Sequence, residues 1–209
     1  MLRDHTVKKL KREWVPVNTS LPGIKVKRTR SAKEVAMRAN ILGVFVAIAN
    51  DPGSVGYFKN LLSEMNMDGA LAESERKVLS KGKLTEKEEI DLSWSQESLY
   101  AISWCLGIFK EMNSPSKEAD LIQMFPGLPP EVELEPFLAK AKLIDKESIV
   151  EELEYYYGLQ WAIRHPESWS LLNKFKRKKY HLSVIRERRR ALEWINDDQL
   201  AWDDISLDT

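Results

Sequence analysis

The sequence predicts an all-α fold, a single-domain orthogonal array of about seven to nine helices around a long central helix. Apolar residues recur at helical spacing in several segments, which Gly, Pro or Asn residues separate. No segment shows the sustained alternation between hairpin turns that indicates β-strands. No fixed-period repeat is present either, so we do not expect a solenoid.

The composition is that of a globular protein with a sizeable core, since 43% of the 209 residues are hydrophobic and 31% are charged. A formal net charge of +0 argues against a surface built throughout to bind nucleic acid or anionic lipid. The lone cysteine cannot form an internal disulfide, and no secretory signal segment is recognisable. We therefore expect a cytoplasmic protein without a membrane span.

Residues 1–30 are predicted to form a basic, mostly extended N-terminal arm on a helical domain that comprises residues 31–209. The arm carries nine Lys or Arg residues against only Asp4 and Glu13. Its start allows a helix, but the Pro and Gly residues that follow favour an extended path.

Capping signals mark the beginnings of the first predicted helices. Ser31 and Glu34 form a capping box that opens a helix to about Asn50. A second helix is predicted from Ser54 to about Asn66, with an apolar face of Tyr57, Leu61, Leu62 and Met65. A third fits residues 73–79.

The central helix is predicted to begin at a second capping box, Thr85 with Glu88, and to end near Met112. Cys105 lies on its apolar face, where we expect a small, inert core thiol. The helices predicted beyond it cover residues 116–125, 136–144 with Pro136 in the first turn, and 145–164 capped by Asp145.

The last helix and tail, residues 180–209, combine a basic helix with an acidic terminus that contains Trp202. The inward stripe of the helix is Val184, Arg188, Ala191, Leu192 and Ile195, with Arg186, Arg189 and Arg190 beside or opposite it. A buried guanidinium cannot lose its charge, so Arg188 must meet a carboxylate. The candidates are Glu97, Asp203, Asp204 and Asp208. We favour a structural ion-pair network that fixes an ordered tail, with a bound anion as the alternative.

Other chemistry has weaker support. An all-oxygen metal site could draw on Glu97, Glu151, Glu154, Glu187, Asp203 and Asp204. Their spacing matches no metal-binding motif, and no glycine-rich phosphate loop is present, so we predict no metal and no cofactor. The basic run 174–190, interleaved with Trp169, Phe175 and Tyr180, makes nucleic-acid binding a further hypothesis.

Five segments resemble the bacterial family called domain of unknown function 4272. They are SWSQESL (93–99), WCLG (104–107), YGLQWA (157–162), ERRRALEW (187–194) and WDDISLDT (202–209). Arg30, Ser31, Val35, Arg38 and Ala39 also fit the opening helix of that family. Gly158 and Glu193 depart from the pattern, which has Arg and Asn there.

The resemblance implies a group of site residues and no activity. The matching residues are Trp94, Glu97, Trp104, Trp161, Glu187, Arg188, Trp194, Trp202, Asp203, Asp204 and Asp208. Our first hypothesis is a non-enzymatic interaction module, regulatory or immunity-like, whose partner is another protein and whose oligomeric state is open. The alternative is a hydrolase of a phosphorylated or nucleotide substrate, possibly metal-assisted, that uses Glu97, Glu187, Arg188 and Asp204. Nucleic-acid binding through residues 174–190 is the third.

Overall fold

A computed structural model describes residues 2–208, so Met1 of the predicted arm and Thr209 of the predicted tail lie outside the described residues. The described part is all-α, without strands, and forms a single domain, which confirms the predicted fold class. Two of its eleven α-helices are single turns, which leaves nine longer ones. Within residues 2–208 no helix is both long and apolar enough to cross a membrane.

The first six helices are α1 (Leu2–Arg12), α2 (Ala32–Asn50), α3 (Val55–Glu64), α4 (Glu73–Leu79), α5 (Glu86–Ser93) and α6 (Ser95–Cys105). The remaining five are α7 (Leu121–Met124), α8 (Leu134–Lys140), α9 (Lys146–Arg164), α10 (Lys174–Arg177) and α11 (Leu182–Asn196). Short 3₁₀ turns follow several of them, the last being Trp202–Asp204 in the tail.

The capping signals lie where the sequence predicts them. Ser31 Oγ accepts the Glu34 N–H at 3.3 Å, and the Glu34 carboxylate accepts the Ser31 N–H at 2.9 Å. Thr85 and Glu88 make the same reciprocal pair at the start of α5. Asp145 accepts the Ser148 N–H at 2.8 Å and begins α9. These local signals confirm the starts of α2, α5 and α9.

The core divides into two clusters on either side of α2. Leu42 and Val46 face the larger cluster, which α6, α9 and α11 complete. Ile41 and Phe45 face the smaller one, formed with α3, α4 and α8. Because both faces of α2 are covered, the helix is apolar almost all round, which explains the run of apolar residues from 39 to 49.

The predicted central helix is wrong in its extent. A turn at Trp94 separates α5 from α6, and α6 ends at Cys105 instead of near Met112. Gly107 adopts φ 71°, the Ile108 N–H reaches the Ser103 carbonyl at 3.1 Å, and the Gly107 N–H reaches the Trp104 carbonyl at 2.9 Å. These bonds form a Schellman motif, which needs a left-handed residue and so selects glycine.

Three further boundaries or faces differ from prediction. The helix predicted over 116–125 is reduced to α7, and α8 begins at Leu134, two residues before Pro136, and ends at Lys140. Tyr57 is 67% exposed, and Phe58 packs on the smaller cluster in its place. Periodicity alone cannot separate adjacent residues when a helix is covered on a narrow stripe.

The N-terminal residues begin with a helix that packs into the larger cluster. α1 lies along α9, and Leu10 and Val15 are both buried. Beyond it, residues 15–31 contain no helix but pair with the end of α11, where Arg30 N–H donates to the Ile195 carbonyl at 3.1 Å. Asp198 N–H returns a bond to the Arg28 carbonyl at 3.0 Å.

Candidate functional site

Glu97 and Arg188 form an ion pair without any exposed side-chain surface. Arg188 Nε donates to Glu97 Oε2 at 2.8 Å, and both side chains are 0% exposed. Arg188 Nη1 donates to the Tyr156 hydroxyl at 3.2 Å, and its guanidinium carbon lies 4.7 Å from the centre of the Tyr100 ring. Among the four carboxylates that the sequence offered for Arg188, the partner is Glu97.

The pair also binds the backbone of the segment between α6 and α7. Arg188 Nη1 donates to the Asn113 carbonyl at 2.9 Å, and Nη2 donates to the Lys117 carbonyl at 3.1 Å. Glu97 Oε1 accepts the Ala119 N–H at 2.7 Å. This segment lacks helical hydrogen bonds over most of its length, and the buried charges satisfy its polar groups instead. The pair therefore fixes a loop in addition to two helices.

Burial raises the pKa of the Glu97 carboxyl, and the nearby Arg188 charge opposes that rise. Desolvation would lower the pKa of Arg188, but the Tyr156 and Glu97 oxygens more than reverse this effect. A guanidinium stays charged in proteins, so it holds Glu97 as a carboxylate through Nε. Each nitrogen of Arg188 already donates to a protein oxygen.

Of the three tail aspartates, Asp203 bonds through its side chain to another element of the domain. Asp203 accepts the Ser74 N–H at 2.9 Å and the Ser74 hydroxyl at 2.6 Å, at the beginning of α4. Asp204 and Asp208 are exposed, and Asp208 Oδ2 accepts the Ser206 hydroxyl at 3.1 Å. Of the four candidate partners, Glu97 therefore pairs with Arg188, and the alternative pairing with the tail aspartates is not formed.

The tail is docked mainly by Trp202 and by its own backbone. Trp202 is 8% exposed and meets the Trp194 ring edge-on at 5.6 Å. Gln160 Nε2 donates to the Leu207 carbonyl at 2.5 Å. Arg189, predicted beside or opposite the buried stripe, is 4% exposed and directs Nη1 to the same carbonyl at 3.4 Å. Arg189 is buried because the tail covers it.

A cleft of about 250 Å³ lies beside Trp202, between the start of α2, the segment before α4, and the end of α11. We call it the arginine–tryptophan cleft, and its most distinctive lining residues are Arg30, Arg38, Trp194 and Trp202. All four match the family pattern. The Arg30 guanidinium carbon lies 4.2 Å from the Trp194 ring centre, and that of Arg38 lies 4.8 Å from the Trp202 ring centre.

On the other side of Trp202 lies a second cleft, also of about 250 Å³, which we call the Glu187 cleft. The Ser98 hydroxyl lies 3.1 Å from Glu187 Oε2, and Arg190 Nη1 lies 3.5 Å from the same oxygen. Burial raises the pKa of the Glu187 carboxyl, and Arg190 opposes the rise. A carboxyl group with a raised pKa at a cleft wall has the character of a proton donor or acceptor.

The four groups of the hydrolase hypothesis do not share one open site. Glu97 and Arg188 are 0% exposed, Glu187 lines its own cleft, and Asp204 lies on the exposed tail. Across the described part of the chain, no group of three or more His, Cys, Asp or Glu residues is arranged to hold a metal ion. Glu151 and Glu154, named in the metal hypothesis, contact the N-terminal residues; Glu151 pairs with His5.

The other tryptophans that match the family pattern are half-buried. Trp104 Nε1 donates to the Lys110 carbonyl at 3.2 Å. Trp161 stacks on His165 with ring centres 4.7 Å apart, and Trp94 lies at the turn between α5 and α6. These three residues support the packing of loops and turns, and none of them lines either cleft beside Trp202.

Cys105 is fully buried, and desolvation raises the pKa of its thiol. Because the thiolate is the reactive form, we expect almost no labelling of the native protein by an aromatic disulfide reagent at pH 8. In denaturant, one thiol per chain should react within the mixing time. Stoichiometric labelling of the native protein within seconds would contradict this burial.

A surface before α11 contains the start of the predicted basic run 174–190 and adds Trp14, Leu171 and Leu172, which the sequence pattern did not single out. It combines exposed apolar residues with lysines, and we call it the aromatic–basic surface. Its residues are Trp14, Leu171, Leu172, Lys174, Phe175, Lys176, Lys178 and Lys179. Lys176 Nζ lies 4.5 Å from the centre of the Trp14 ring and joins the N-terminal residues to α10. Trp169, which we had grouped with these aromatics, is instead buried at 4% exposure.

A family model described as Domain of unknown function (DUF4272) matches residues 3–205, nearly the whole chain. This match confirms the resemblance seen in the five sequence segments. No curated protein and no solved structure matched the chain.

Proposed function

The chain belongs to the DUF4272 family, and we propose that it is a non-enzymatic cytoplasmic module that binds another protein through the aromatic–basic surface. The partner is a protein segment that presents apolar side chains among acidic ones. The observation that carries the proposal is the exposure of four large apolar side chains in one basic region next to the last helix.

The exposure of these side chains is unusually high for their types. Leu171 is 89% exposed, Leu172 83%, Phe175 62% and Trp14 60%. Single exposed apolar residues are common, but a group of large ones beside a charged rim is typical of interaction sites. Aromatic residues such as Trp14 and Phe175 are also the types that contribute most to binding energy at interfaces.

The charge of the surface supports an acidic partner. Lys174, Lys178 and Lys179 are exposed, and the described contacts give none of them a carboxylate partner within the structure. Basic groups around an apolar centre increase the rate of association with acidic partners and exclude basic ones.

Hydrogen bonds from Arg177 and Tyr180 fix the aromatic–basic surface to the rest of the domain. Arg177 donates to the Ile163 carbonyl through Nε at 3.0 Å and Nη2 at 2.8 Å, which fixes α10 to the end of α9. The Tyr180 hydroxyl donates to Glu13 at 3.0 Å, directly beside Trp14. An exposed surface that is already ordered loses less conformational entropy on binding.

The test is selection of a displayed library of random twelve-residue peptides against the protein. We expect enrichment of peptides that combine Asp or Glu with aromatic or aliphatic residues, and synthetic copies should bind the protein with a salt-dependent Kd. The double variant Leu171→Ser with Leu172→Ser should weaken binding at least tenfold. Ile122→Ser is the matched control, because Ile122 is 86% exposed but lies elsewhere, in α7. Equal binding by both variants would refute the proposal.

Trp14 offers a variant that separates binding from stability. It adopts φ 62° at the end of α1, where the Val15 N–H reaches the Leu10 carbonyl at 3.0 Å. A left-handed conformation costs a residue other than glycine about 1–2 kcal/mol. Loss of the contact with Lys176 would offset about 0.5–1 kcal/mol of the gain from glycine.

We therefore expect Trp14→Gly to leave the free energy of unfolding in urea unchanged or to raise it by up to about 1.5 kcal/mol. The same change should weaken peptide binding, because it removes a large exposed aromatic ring. A variant that is destabilised and binds normally would show that Trp14 serves the fold.

Single-stranded DNA is the competing ligand for this surface. Binding that depends on several phosphate contacts falls steeply as salt increases. We expect at most weak, nonspecific retention of a twenty-nucleotide strand at 150 mM salt. Tight DNA binding that Phe175→Ser abolishes, without peptide enrichment, would replace the protein-binding proposal by the nucleic-acid hypothesis.

A further inference from the structure

We infer that the arginine–tryptophan cleft binds a small carboxylate with a flat or aliphatic apolar body, such as an arylalkanoate. This site is separate from the aromatic–basic surface and does not depend on the function proposed for that surface. The ligand would place its apolar body between the tryptophans and the aliphatic wall, and its carboxylate against the arginines.

The wall of the cleft suits an apolar body of limited size. Met37, Ile41 and Leu71 line it together with the rings of Trp194 and Trp202. The space of about 250 Å³ lies just below the range typical of drug-sized ligands. It is sufficient for a ligand of about ten heavy atoms, with the ring stacked or edge-on against tryptophan.

Arg38 supplies a hydrogen-bond donor without an acceptor. Its Nη1 donates to Glu75 at 2.6 Å and its Nη2 to the Ala70 carbonyl at 2.8 Å. Its Nε is buried, and within the described residues it has no hydrogen-bond partner. A buried N–H without an acceptor is costly and marks a place for a bound water or ligand oxygen. The side chain is 6% exposed and lines the cleft, so an oxygen in the cleft would reach Nε once the guanidinium shifts towards it.

Arg30 adds a second positive group to the same wall. Its Nε donates to the Trp194 carbonyl at 2.9 Å, and it also binds the Leu200 carbonyl. The acidic group on the lining is Glu34, whose side chain is 50% exposed and lies 3.6 Å from Arg30. Glu75, on the far side of Arg38, is already paired. Each arginine therefore faces one carboxylate, Glu34 lies towards solvent, and the donor without an acceptor in this group is Arg38 Nε.

A carboxylate fits this arrangement better than a phosphate. One free N–H can bind one oxygen of a carboxylate while the other oxygen stays in water at the cleft mouth, whereas the oxygens of a dianion would need several donors after they leave water. An alcohol of the same shape offers Arg38 Nε an oxygen without a negative charge, which makes a weaker hydrogen bond, and a cationic ligand would add a positive charge beside two arginines. The site should therefore discriminate by charge at constant shape.

The experiment uses 3-phenylpropionate as the probe and 3-phenylpropan-1-ol as its uncharged isostere. Each is titrated into the full chain labelled with ¹⁵N, and the indole N–H signals are followed after assignment with Trp→Phe variants. We expect saturable shifts of the Trp194 and Trp202 signals with the acid and at least tenfold weaker binding of the alcohol. The indole signal of Trp104, which lies outside the cleft, should stay in place.

Variants then locate the site without disturbing the core. Ala201 lines the cleft and is exposed, so Ala201→Asp adds a negative charge at its mouth. We expect this change to weaken probe binding at least fivefold, with an unchanged melting temperature. Asn60→Asp adds the same charge on the exposed face of α3 and should leave binding as it is.

Three outcomes would each overturn the inference. The first is equal binding of the acid and the alcohol, and the second is full binding by Ala201→Asp. The third is a titration with the acid that does not saturate by about 10 mM, since a Kd on the order of 1 mM would bring it close to saturation there. Peptide binding by the aromatic–basic surface is measured separately. A negative result at the cleft therefore does not affect the proposed function, and Trp14→Gly should bind the probe normally.

Discussion

Arg188→Ala is expected to lower the free energy of unfolding by about 3–5 kcal/mol, because it leaves the Glu97 carboxylate buried without its partner. Both side chains are 0% exposed, so neither can reach water when the other is removed. For a domain of about 200 residues, this corresponds to a decrease in Tm of roughly 6–20 °C. Urea unfolding followed by tryptophan fluorescence is the measurement.

The double replacement Glu97→Leu with Arg188→Met tests what the pair does for the loop. Apolar residues of similar volume often replace a buried ion pair at little cost. Here they would also remove the groups that bind the backbone at Asn113, Lys117 and Ala119. We therefore expect the double variant to remain destabilised, and proteolysis to begin between α6 and α7.

Glu73→Gln is the control for the loss of an ion pair as such. Glu73 pairs with Lys77 at 2.7 Å, but the side chains are 72% and 70% exposed, respectively. Pairs in water contribute little, so the melting temperature should stay close to that of the wild type. If Arg188→Ala melted like this control, the buried pair would have no part in stability. Wild-type stability of the double variant would instead show that the loop does not need the pair.

The sequence predicts that Arg188 is buried and paired, but it does not determine which carboxylate is its partner. The helical stripe through Val184, Leu192 and Ile195 places Arg188 inside, and burial of an arginine requires a carboxylate. The choice between Glu97 and the tail aspartates depends on how α6 and α11 pack against each other. The spacing of apolar residues along one helix carries no information about that packing. From the sequence alone, the aspartates of the tail, which follow Arg188 closely, are as suitable as Glu97, which lies 91 residues away.

The sequence singled out the basic run of the aromatic–basic surface, but the clefts and the exposed apolar residues of that surface could not be predicted, for related reasons. Arg30, Arg38 and Trp202 come together only when the N-terminal residues, α2 and the tail fold onto one another. Leu171 and Phe175 belong to the same apolar residue types as the core, so the sequence does not distinguish their exposure from burial. Capping boxes were predictable because each needs only residues three positions apart.

Truncation before Trp202 is expected to have the largest effect of any change to the tail. Removing a buried tryptophan alone costs about 3–5 kcal/mol. The truncation also removes Leu207, which is 8% exposed, and the acceptors that Gln160 and Arg189 use. Arg38 would lose the aromatic ring 4.8 Å from its guanidinium carbon. We expect the free energy of unfolding to fall by at least about 5 kcal/mol, measured by urea unfolding with the circular dichroism of the helices as the signal.

Two substitutions separate the contributions to this loss of stability. Trp202→Phe tests the indole ring, and Asp203→Asn tests the hydrogen bonds at the start of α4. The phenylalanine retains much of the buried apolar surface and should recover most of the lost stability. Asp203→Asn keeps an oxygen that can accept the Ser74 N–H. It should lower the free energy of unfolding by less than Trp202→Phe or the truncation does. Since Trp202 separates the two clefts, the truncated chain should also lose the selective binding of 3-phenylpropionate. A truncated chain that unfolds at the wild-type urea concentration would mean that the tail is not part of the folded domain, and both clefts would then have to be reassigned to its surface.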